Sequence, residues 1–298
     1  MRQVSEAVSS RELIGSLFHS YTESSCRTLY GMTILVTGAT GNIGRMLVDH
    51  LLAAGRTDVR ALTNHPERAQ LPSGVEIAEG FLGRVDSLPD ALIGVDQIYL
   101  APYPSTIEPV LELARAAGVR HVVDLAGPPE NWWYPISVAV EKSGMHWTHL
   151  WPGEFMENST MWAERIIESG CVREPFPDAA NAPIAMDDIA SAAAAVLIDE
   201  QKHHGRSHVL TGPETLTRVQ LLDRISDAVG RPLTFETVSR QETIDDLTPS
   251  MGDFAITYVD GLESSVDNPQ QVDRTLTEIT GTATTFAHWA RRNVHSFR

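Results

Sequence analysis

Three glycines at a regular spacing are the first residues with a chemical implication. Gly38, Gly41 and Gly44 follow the β-branched apolar run that ends at Thr37, and they open an amphipathic stretch of helix length. In such a turn the first glycine allows a tight reversal, the second lets the backbone approach a pyrophosphate, and the third lets helix and strand pack closely. An ordinary glycine-rich turn without a ligand is the alternative. The other amides expected to face the phosphates are those of Thr40, Asn42 and Ile43.

Two tyrosines and a histidine are the candidates for proton transfer. Tyr134 opens a predicted helix, Tyr103 follows a predicted strand, and His149 lies within a strand. A phenol of ordinary pKa, ~10, can donate a proton to a carbonyl or enolate oxygen but is a poor base for oxidising an alcohol. If Tyr134 acts, the reaction is therefore a reduction. The alternatives are that Tyr134 only lines a pocket and that His149 packs in the core.

Large apolar side chains cluster in the segments around these candidates. We expect an aromatic, apolar substrate cavity, whereas the alternative is that the same side chains fill a junction between two lobes. The predicted substrate-contacting residues are Trp133, Trp151, Phe155 and Met156, and Trp132 and Trp162 extend the set.

The elements that must position these residues follow from the alternation of short apolar runs with helix-length amphipathic stretches after Met32. This alternation predicts an α/β fold with a doubly wound parallel sheet. Beyond Pro152 the order loosens, which indicates a smaller C-terminal α+β lobe. The predicted strands before Pro152 are residues 33–37, 59–62, 75–78, 97–101, 119–125 and 147–151.

The same pattern divides the chain into three parts. Residues 1–31 are polar and Ser-rich, and we interpret them as a tail that precedes an original start at Met32. Residues 32–152 form the sheet domain, to which residues 185–212 return. Residues 153–298 form a substrate-binding lobe.

Local signals within the second half predict three further features. Asp187 and Asp188 open an alanine-rich helix and are expected to cap it. Thr217 and Gln220 have the spacing of a capping box. His203 and His204 precede Gly205 in a predicted loop and are expected to be exposed to solvent, because no metal-ligand spacing surrounds them.

The GxxGxxG turn continues into further motifs, which together resemble the NmrA-like family of atypical short-chain dehydrogenase/reductases. The likeness covers about residues 32–240. It implies a Rossmann fold and either an NAD(P)H-dependent reductase or a cofactor-sensing regulator without turnover. The motifs that carry it, after the glycine turn, are residues 59–63, 94–96, 118–123, 143–148, 152–158, 188–190 and 210–214.

The resemblance also identifies the nicotinamide side of the cofactor site. Typical short-chain dehydrogenases use a Ser after the fifth strand and a Tyr-x-x-x-Lys on the next helix. Here Ala126 or Gly127 takes the serine position and Ser137 or Val138 the lysine position, so we expect the standard triad to be absent. Isomerase or epimerase chemistry is disfavoured by the same loss. The expected neighbours of the nicotinamide are Leu100, Ala101, Pro102, Ala126 and Gly127.

The second predicted strand ends without an acid, where an NAD site usually carries one for the ribose 2′-hydroxyl. Thr63 and Asn64 stand there instead, and Asn64 takes the place where relatives often have Arg. We expect NADP(H) in preference to NAD(H), on the basis of Arg45 and Asn64, with His65 and Arg68 as further candidates. Phe81 replaces the family's adenine-binding Asp, and it either stacks on the adenine or simply packs.

Composition excludes several other classes of protein. The chain has 298 residues, with 23 Lys+Arg against 39 Asp+Glu, which gives a net charge of −16. This charge repels nucleic acid and anionic membranes, and it favours a small, neutral, apolar substrate. Cys26 and Cys171 show no metal-ligand spacing, and no apolar run is long enough to span a bilayer. We therefore expect no bound metal and a cytoplasmic protein, either a monomer or a homodimer.

Together these features predict an NAD(P)H-dependent reductase of a small apolar carbonyl, enone or quinone. The alternative is an NADP(H)-sensing regulatory protein that binds the cofactor without turnover. The missing triad favours the regulator, whereas the aromatic side chains favour turnover.

Overall fold

The computed structural model describes residues 32–298, which contain a central parallel sheet of seven strands in the order β3-β2-β1-β4-β5-β6-β9. This confirms the predicted doubly wound fold. The interpretation of residues 1–31 as a tail lies outside the described residues. The strands are β1 (Thr33–Val36), β2 (Val59–Thr63), β3 (Glu76–Glu79), β4 (Val95–Leu100), β5 (His121–Leu125), β6 (His146–Pro152), β7 (Cys171–Glu174), β8 (Ala180–Asn181), β9 (Arg206–Leu210), β10 (Leu216–Thr217) and β11 (Thr234–Thr237).

Helices cover both faces of the sheet, as a parallel sheet requires. On one face α1 packs against the alanine-rich α6, and on the other α3 and α4 lie side by side. The helices are α1 (Asn42–Ala53), α2 (Pro89–Leu92), α3 (Ile107–Ala116), α4 (Tyr134–Lys142), α5 (Ala163–Ser169), α6 (Met186–Ile198), α7 (Glu200–His203), α8 (Arg218–Val229), α9 (Arg240–Met251), α10 (Phe254–Asp267), α11 (Thr275–Thr280) and α12 (Phe286–Arg292).

Helix α1 shows why this sequence folds as it does. Leu47, Val48 and Leu51 recur at helical spacing and are fully buried against the sheet and α6. Each such side chain contributes about 1.5–3 kcal/mol relative to an exposed position. Gly55, at φ +82°, follows the end of the helix in a conformation that glycine adopts without strain.

The strand order reverses between β1 and β4, so the carboxyl ends of these strands form the topological switch point of the sheet. Val36 of β1 is in register with Tyr99 of β4. Ligands of open α/β sheets bind in the crevice beyond such a point. The glycine turn that follows β1 and the Ala101–Pro102 segment that follows β4 therefore meet where a ligand is expected.

Beyond β6 the chain forms a smaller α+β lobe, which contains the two-stranded sheets β7–β11 and β8–β10. Its core surrounds Trp162, Phe286 and Trp289, and α9 and α10 pack as a helical hairpin on a smaller cluster. Helix α6 and strand β9 leave this lobe and join the central sheet. The division of the chain into domains at residue 152 stays a prediction.

The capping box at Thr217 and Gln220 is confirmed, because the Thr217 Oγ1 accepts the Gln220 amide at 3.2 Å and the Gln220 Oε1 accepts the Thr217 amide at 2.9 Å. Asp187 and Asp188 lie in the first turn of α6 as predicted, but the expectation that they cap it is wrong. Ala185 is the N-cap, and Asp187 instead contacts His50 Nε2 at 2.9 Å. These carboxylates have tertiary partners that a local pattern does not reveal.

Asp188 accepts hydrogen bonds from the backbone and hydroxyl of Thr284, at 2.7 and 2.9 Å.

The prediction that His203 is exposed is also wrong. His203 is half-buried, with its Nδ1 atom 3.1 Å from His208 Nε2, whereas His204 is exposed as predicted. Within residues 32–298, no helix has both the length and the apolar composition needed to cross a membrane.

Candidate active site

The glycine turn has the geometry that close strand–helix packing demands. Gly38 has φ +62°, and a Cβ atom there would lie 3.2 Å from the Cβ atom of Ala101. A Cβ atom on Gly44 would lie 2.2 Å from the carbonyl oxygen of Gly38, a distance that no side chain tolerates. These two positions therefore require glycine, and they bring β1, α1 and the end of β4 into contact.

The N-terminus of α1 presents backbone amides with no side chain to satisfy them. Its N-cap is Gly41, no side chain caps it, and its first turn contains no acid. The equivalent position of α8 is capped by Thr217, and that of α9 by Ser239. Uncapped amides and the positive end of the helix dipole favour an anionic group. The residues present thus fit the pyrophosphate of a dinucleotide.

Thr37, which the sequence analysis did not single out, fixes the two strand ends at the switch point. Its hydroxyl donates to the carbonyl oxygen of Tyr99 at 2.9 Å and accepts the amide of Ala101 at 2.8 Å. This pair of bonds holds Ala101 and Pro102 beside Gly38. The signal that could have identified it is a hydroxyl residue at the last position before the glycine turn.

At the end of β2, Thr63 is buried and Asn64 is exposed. The Asn64 Oδ1 accepts a hydrogen bond from Arg84 Nη2 at 3.0 Å. Arg45 extends toward the same region, where its guanidinium donates to the carbonyl oxygen of Gln70 and its Nε atom lies 3.4 Å from Asp49. Two arginines therefore surround the place where a dinucleotide's adenosine ribose is expected.

The loop after β5 is organised by Asn131. Its Oδ1 accepts the amide of Trp133 at 2.9 Å, and its carbonyl oxygen accepts the amide of Tyr134 at 3.0 Å. The Asn131 side chain also lies over Gly127, where an added Cβ atom would approach it to 2.5 Å. Asn131 thus places the start of α4, and with it Tyr134, next to the Ala126–Gly127 segment.

Tyr103 leaves the end of β4 toward the third strand. Its ring contacts Phe81 edge-on, with centroids 5.2 Å apart. A shallow recess lies beside it, lined by Leu82, Leu100, Ala101, Tyr103, Ile107 and Val110. The structure places Tyr103 close to the predicted nicotinamide neighbours but turned toward the adenosine end of the crevice.

Three aromatic side chains, Trp132, Trp133 and Phe254, form what we call the aromatic border. The Trp132 and Trp133 rings lie 3.8 Å apart, and Trp132 approaches Phe254 of α10 to 6.4 Å. Trp132 is 61% exposed and Phe254 is 48% exposed. The border joins the loop after β5 to the helical hairpin of the C-terminal lobe. Phe254 was not identified from the sequence, because no local pattern connects it to Trp132.

A buried ion-pair network holds the chain that leaves β6. Arg218 Nη1 lies 3.0 Å from Glu154 Oε1, and its Nε atom lies 2.9 Å from Glu174 Oε2. The Arg218 guanidinium also donates to the Tyr258 hydroxyl at 2.7 Å. Burial acts to lower the pKa of Arg218, but Glu174, Tyr258 and Glu154 raise it well above its usual value. The network connects the segment after β6 to β7 and α10.

His149 belongs to a buried cluster and lies outside the crevice. Its Nδ1 atom is 2.5 Å from Asp124 Oδ2, and both side chains are fully buried. Burial raises the pKa of Asp124, and the hydrogen bond to His149 opposes that rise. The His149 ring is stacked between Trp147 and Trp151, with centroids at 4.1 and 6.0 Å.

Comparison with known proteins agrees with the geometry of the glycine turn. Residues 38–127 match the NAD(P)H-binding family of proteins. The chain is 37% identical over 222 residues to (4-alkanoyl-5-oxo-2,5-dihydrofuran-3-yl)methyl phosphate reductase from Streptomyces griseus, with 68% of this chain and 76% of that protein covered. The chain belongs to the NmrA-like family of NAD(P)H-binding proteins. This confirms the resemblance described from its motifs.

Two further NmrA-like relatives span nearly the whole described chain. An NAD(P)H azoreductase from Xenophilus azovorans is 29% identical over 291 residues, which cover 89% of this chain and 99% of the azoreductase. The structure of an NADPH-dependent quinone oxidoreductase from Escherichia coli, complexed with NADPH, superposes with a TM-score of 0.78 at 23% identity. It covers 88% of this chain and 99% of that one. The latter likeness supports the fold.

The structure brings together most of the residues predicted to bind the cofactor of an NmrA-like protein. Gly38 to Arg45 form the turn and the first turn of α1, and the ends of β4 and β5 adjoin it. On the substrate side, Trp133 and Tyr134 adjoin this crevice, and Phe155 is half-buried near it. Met156 is 1% exposed in the core of the C-terminal lobe, so it does not reach the crevice.

Trp151 takes a position different from the predicted cavity wall. Its indole Nε1 donates to Ser137 Oγ at 3.2 Å, and it packs under α4. Ser137 is fully buried and stands at the expected lysine position, and the neighbouring candidate, Val138, is apolar. The indole therefore occupies the layer between β6 and α4 beneath Tyr134.

Proposed function

We propose that this protein is an NADPH-dependent reductase of a small apolar carbonyl, enone or quinone. The observation that carries the proposal is the uncapped N-terminus of α1, which opens at the switch point of the sheet. The reductase activities of the curated relatives support it. The particular substrate and the cofactor preference are part of this proposal.

When bound, NADPH supplies the hydride that such a reduction requires. The amides of Asn42, Ile43 and Gly44 bind the pyrophosphate, and Gly38 and Gly41 let the backbone approach it. The small residues at the ends of β4 and β5 border the nicotinamide and leave room for a flat substrate. These are Ala101, Pro102, Ala126 and Gly127.

Tyr134 is the proposed proton donor to the developing oxygen of a carbonyl or enolate. Its position at the first residue of α4 is fixed by Asn131, as described above. A phenol provides the proton without the lysine that alcohol oxidation would need. A quinone requires little acid catalysis, so this substrate class would depend on Tyr134 the least. Tyr103 is the second candidate for the donor.

The substrate is proposed to be uncharged. The buried cation Arg218 is already bound by Glu154 and Glu174, and it is 3% exposed. An anionic substrate would have to compete with these two carboxylates. The aromatic border instead offers apolar surface and ring faces, which suit an enone or a quinone.

A regulatory protein that binds NADP(H) without turnover is the second candidate function. The observation that favours it is the filling of the expected lysine site, where Ser137 is engaged by the Trp151 indole. Tyr134 then has no cationic neighbour of the kind found in the standard triad. The regulator and the reductase share the same cofactor site and differ only in turnover.

One experiment separates the two functions. NADPH binding to the full chain is titrated by fluorescence, and NADPH oxidation is then followed by absorbance over a panel of quinones, enones and aldehydes. The reductase predicts saturable oxidation with at least one class. Tight binding without oxidation across the panel would instead establish the regulator, and absence of binding would refute both.

A further inference from the structure

A short turn after β3 lies directly against the tip of β2. The backbone reverses between Phe81 and Arg84, where the Arg84 amide donates to the Phe81 carbonyl oxygen at 2.8 Å. Ser87 fixes both ends, because its Oγ accepts the Phe81 amide at 3.0 Å and donates to the Arg84 carbonyl oxygen at 2.6 Å. A Cβ atom on Gly83 would lie 2.5 Å from both the Phe81 ring and the Tyr103 hydroxyl, so a larger residue there would displace these two side chains. The turn is therefore a defined structure.

The turn begins at the end of the β2–β3 pairing. Thr63 is in register with Glu79, and the Gly80 amide donates to the Thr63 carbonyl oxygen at 2.9 Å. From this position Arg84 reaches back to Asn64, with Nη2 at 3.0 Å from Oδ1. The turn after β3 thus presents a guanidinium beside Asn64, the first residue after β2.

Arg84 differs from its neighbours in having no acidic partner. Arg60 contacts Glu76 at 2.9 Å, Arg45 contacts Asp49 at 3.4 Å, and Arg68 contacts Glu67 at 3.6 Å. Within residues 32–298, no carboxylate lies within 4.0 Å of the Arg84 guanidinium, although the chain carries a net charge of −16. An exposed cation that is oriented by a neutral amide and not neutralised is suited to bind an anion.

We propose that Arg84, oriented by Asn64, binds the 2′-phosphate of NADP(H), and that Phe81 in the same turn stacks on the adenine. The inference rests on the proposed cofactor-dependent function, and it adds which residues select the cofactor. The Phe81 ring is 40% exposed, and it contacts the Tyr103 ring edge-on with centroids 5.2 Å apart. The guanidinium fork matches two phosphate oxygens, whereas the ribose hydroxyl of NAD(H) offers it only one neutral partner.

The test is equilibrium binding of 2′,5′-ADP and 5′-AMP, which differ only by the 2′-phosphate, alongside NADPH and NADH. We expect the wild-type chain to bind 2′,5′-ADP at least 10-fold more tightly than 5′-AMP. Arg84→Gln removes the charge but keeps a polar side chain. It is expected to weaken the binding of NADPH and of 2′,5′-ADP about 10-fold or more, as loss of a charge-assisted hydrogen bond does. The affinities for NADH and 5′-AMP should change less than about 2-fold.

Arg120→Gln is the matched control, because Arg120 is an exposed arginine at the amino end of β5 that is already paired with Asp96. It is expected to leave all four affinities unchanged. Phe81→Ala is expected to weaken the binding of all four ligands to a similar degree. An Arg84→Gln variant that keeps the preference for 2′,5′-ADP overturns the inference but leaves the reductase intact. A wild-type chain that binds neither NADPH nor NADH overturns the proposed function itself.

Discussion

The Nδ1 atom of His149 lies 2.5 Å from Asp124 Oδ2 in the interior of the sheet, with both side chains fully buried. The second carboxylate oxygen of Asp124 has no hydrogen-bond partner among residues 32–298. His149 therefore provides the hydrogen bond that makes a buried carboxyl group tolerable. This position explains the histidine without any contact to a substrate.

We predict that His149→Ala destabilises the protein by about 3 kcal/mol, because it leaves a buried carboxyl group unpaired and opens a cavity. Urea unfolding followed by circular dichroism measures the change. The exposed His295 serves as a control, and its replacement by Ala should change stability by less than about 0.5 kcal/mol. The NADPH affinity of folded His149→Ala should equal that of the wild type. A stable variant with lost turnover would contradict this assignment.

Stability is predicted to fall as the pH is lowered from 6.5 to about 4. Burial lowers the pKa of His121 to about 4, and burial together with His203 lowers the pKa of His208 to about 4. Unfolded histidines titrate near ~6.5, so in this window the unfolded chain binds more protons. Each histidine then removes up to about 1.4 kcal/mol of stability per unit by which the pH falls. Above this window neither histidine makes the stability depend on pH.

Urea midpoints at several pH values between 4 and 7.5 check this prediction. His208→Gln should make the stability depend less steeply on pH, because it removes one of these two buried imidazoles that resist protonation. His295→Gln is the control, since His295 is exposed. If stability falls equally steeply with pH in the His208 variant and in the wild type, this histidine is not the source of the pH dependence.

The packing of the glycine turn gives a prediction about affinity and stability together. A Cβ atom on Gly44 would lie 2.2 Å from the Gly38 carbonyl oxygen, so Gly44→Ala must push α1 away from β1. We expect a loss of at least about 2 kcal/mol in stability, as for overpacked cores, and loss of NADPH binding. Gly261→Ala is the control, because Gly261 lies within α10 with no atom near its Cβ position. This variant should gain about 0.5–1 kcal/mol.

The two candidate proton donors can be compared by single-atom deletions. Tyr134→Phe should lower kcat for an aldehyde or enone about 100-fold and for a quinone much less, since general acids contribute about 100-fold or more where protonation is required. Tyr103→Phe should leave both rates unchanged if Tyr134 is the donor. Steady-state kinetics with NADPH measure these ratios. A reversed pattern would assign the proton to Tyr103.

Local sequence signals predict the sheet and the glycine turn that we propose binds phosphate, because both depend on residues that are neighbours in the chain. The Gly38–Gly44 spacing and the Thr217–Gln220 box carry their geometry in a single short segment. Arg84 and Asn131 could not be identified in this way. Their roles depend on which loop reaches which strand end, and that is decided by strand order and turn geometry.

The contacts between the two lobes are the least predictable part of the site. Trp151 has the residue type of a cavity wall, yet its hydrogen bond to Ser137 turns it under α4. Met156 follows the crevice in sequence but packs in the lobe core. In both cases, the side of the backbone on which a side chain lies decides its role, and composition does not specify that side.

The aromatic border leads to a prediction about substrate size. Trp132 is 61% exposed, Phe254 is 48% exposed and their ring centroids are 6.4 Å apart, so a flat two-ring substrate can gain contact with both rings. Trp132→Ala and Phe254→Ala should each raise KM for a naphthoquinone about 5- to 10-fold, which corresponds to the ~1 kcal/mol expected of an aromatic pair.

A small enone does not span the border, so its KM should remain within about 2-fold of the wild-type value in both variants. Ile256→Ala, which removes another exposed apolar side chain from α10, controls for general effects on the helix and should alter neither KM. Because both rings would contact the same ligand, the double variant should lose less than the product of the single effects. Equal losses for the large and the small substrate would mean that the border only ties α10 to the loop after β5.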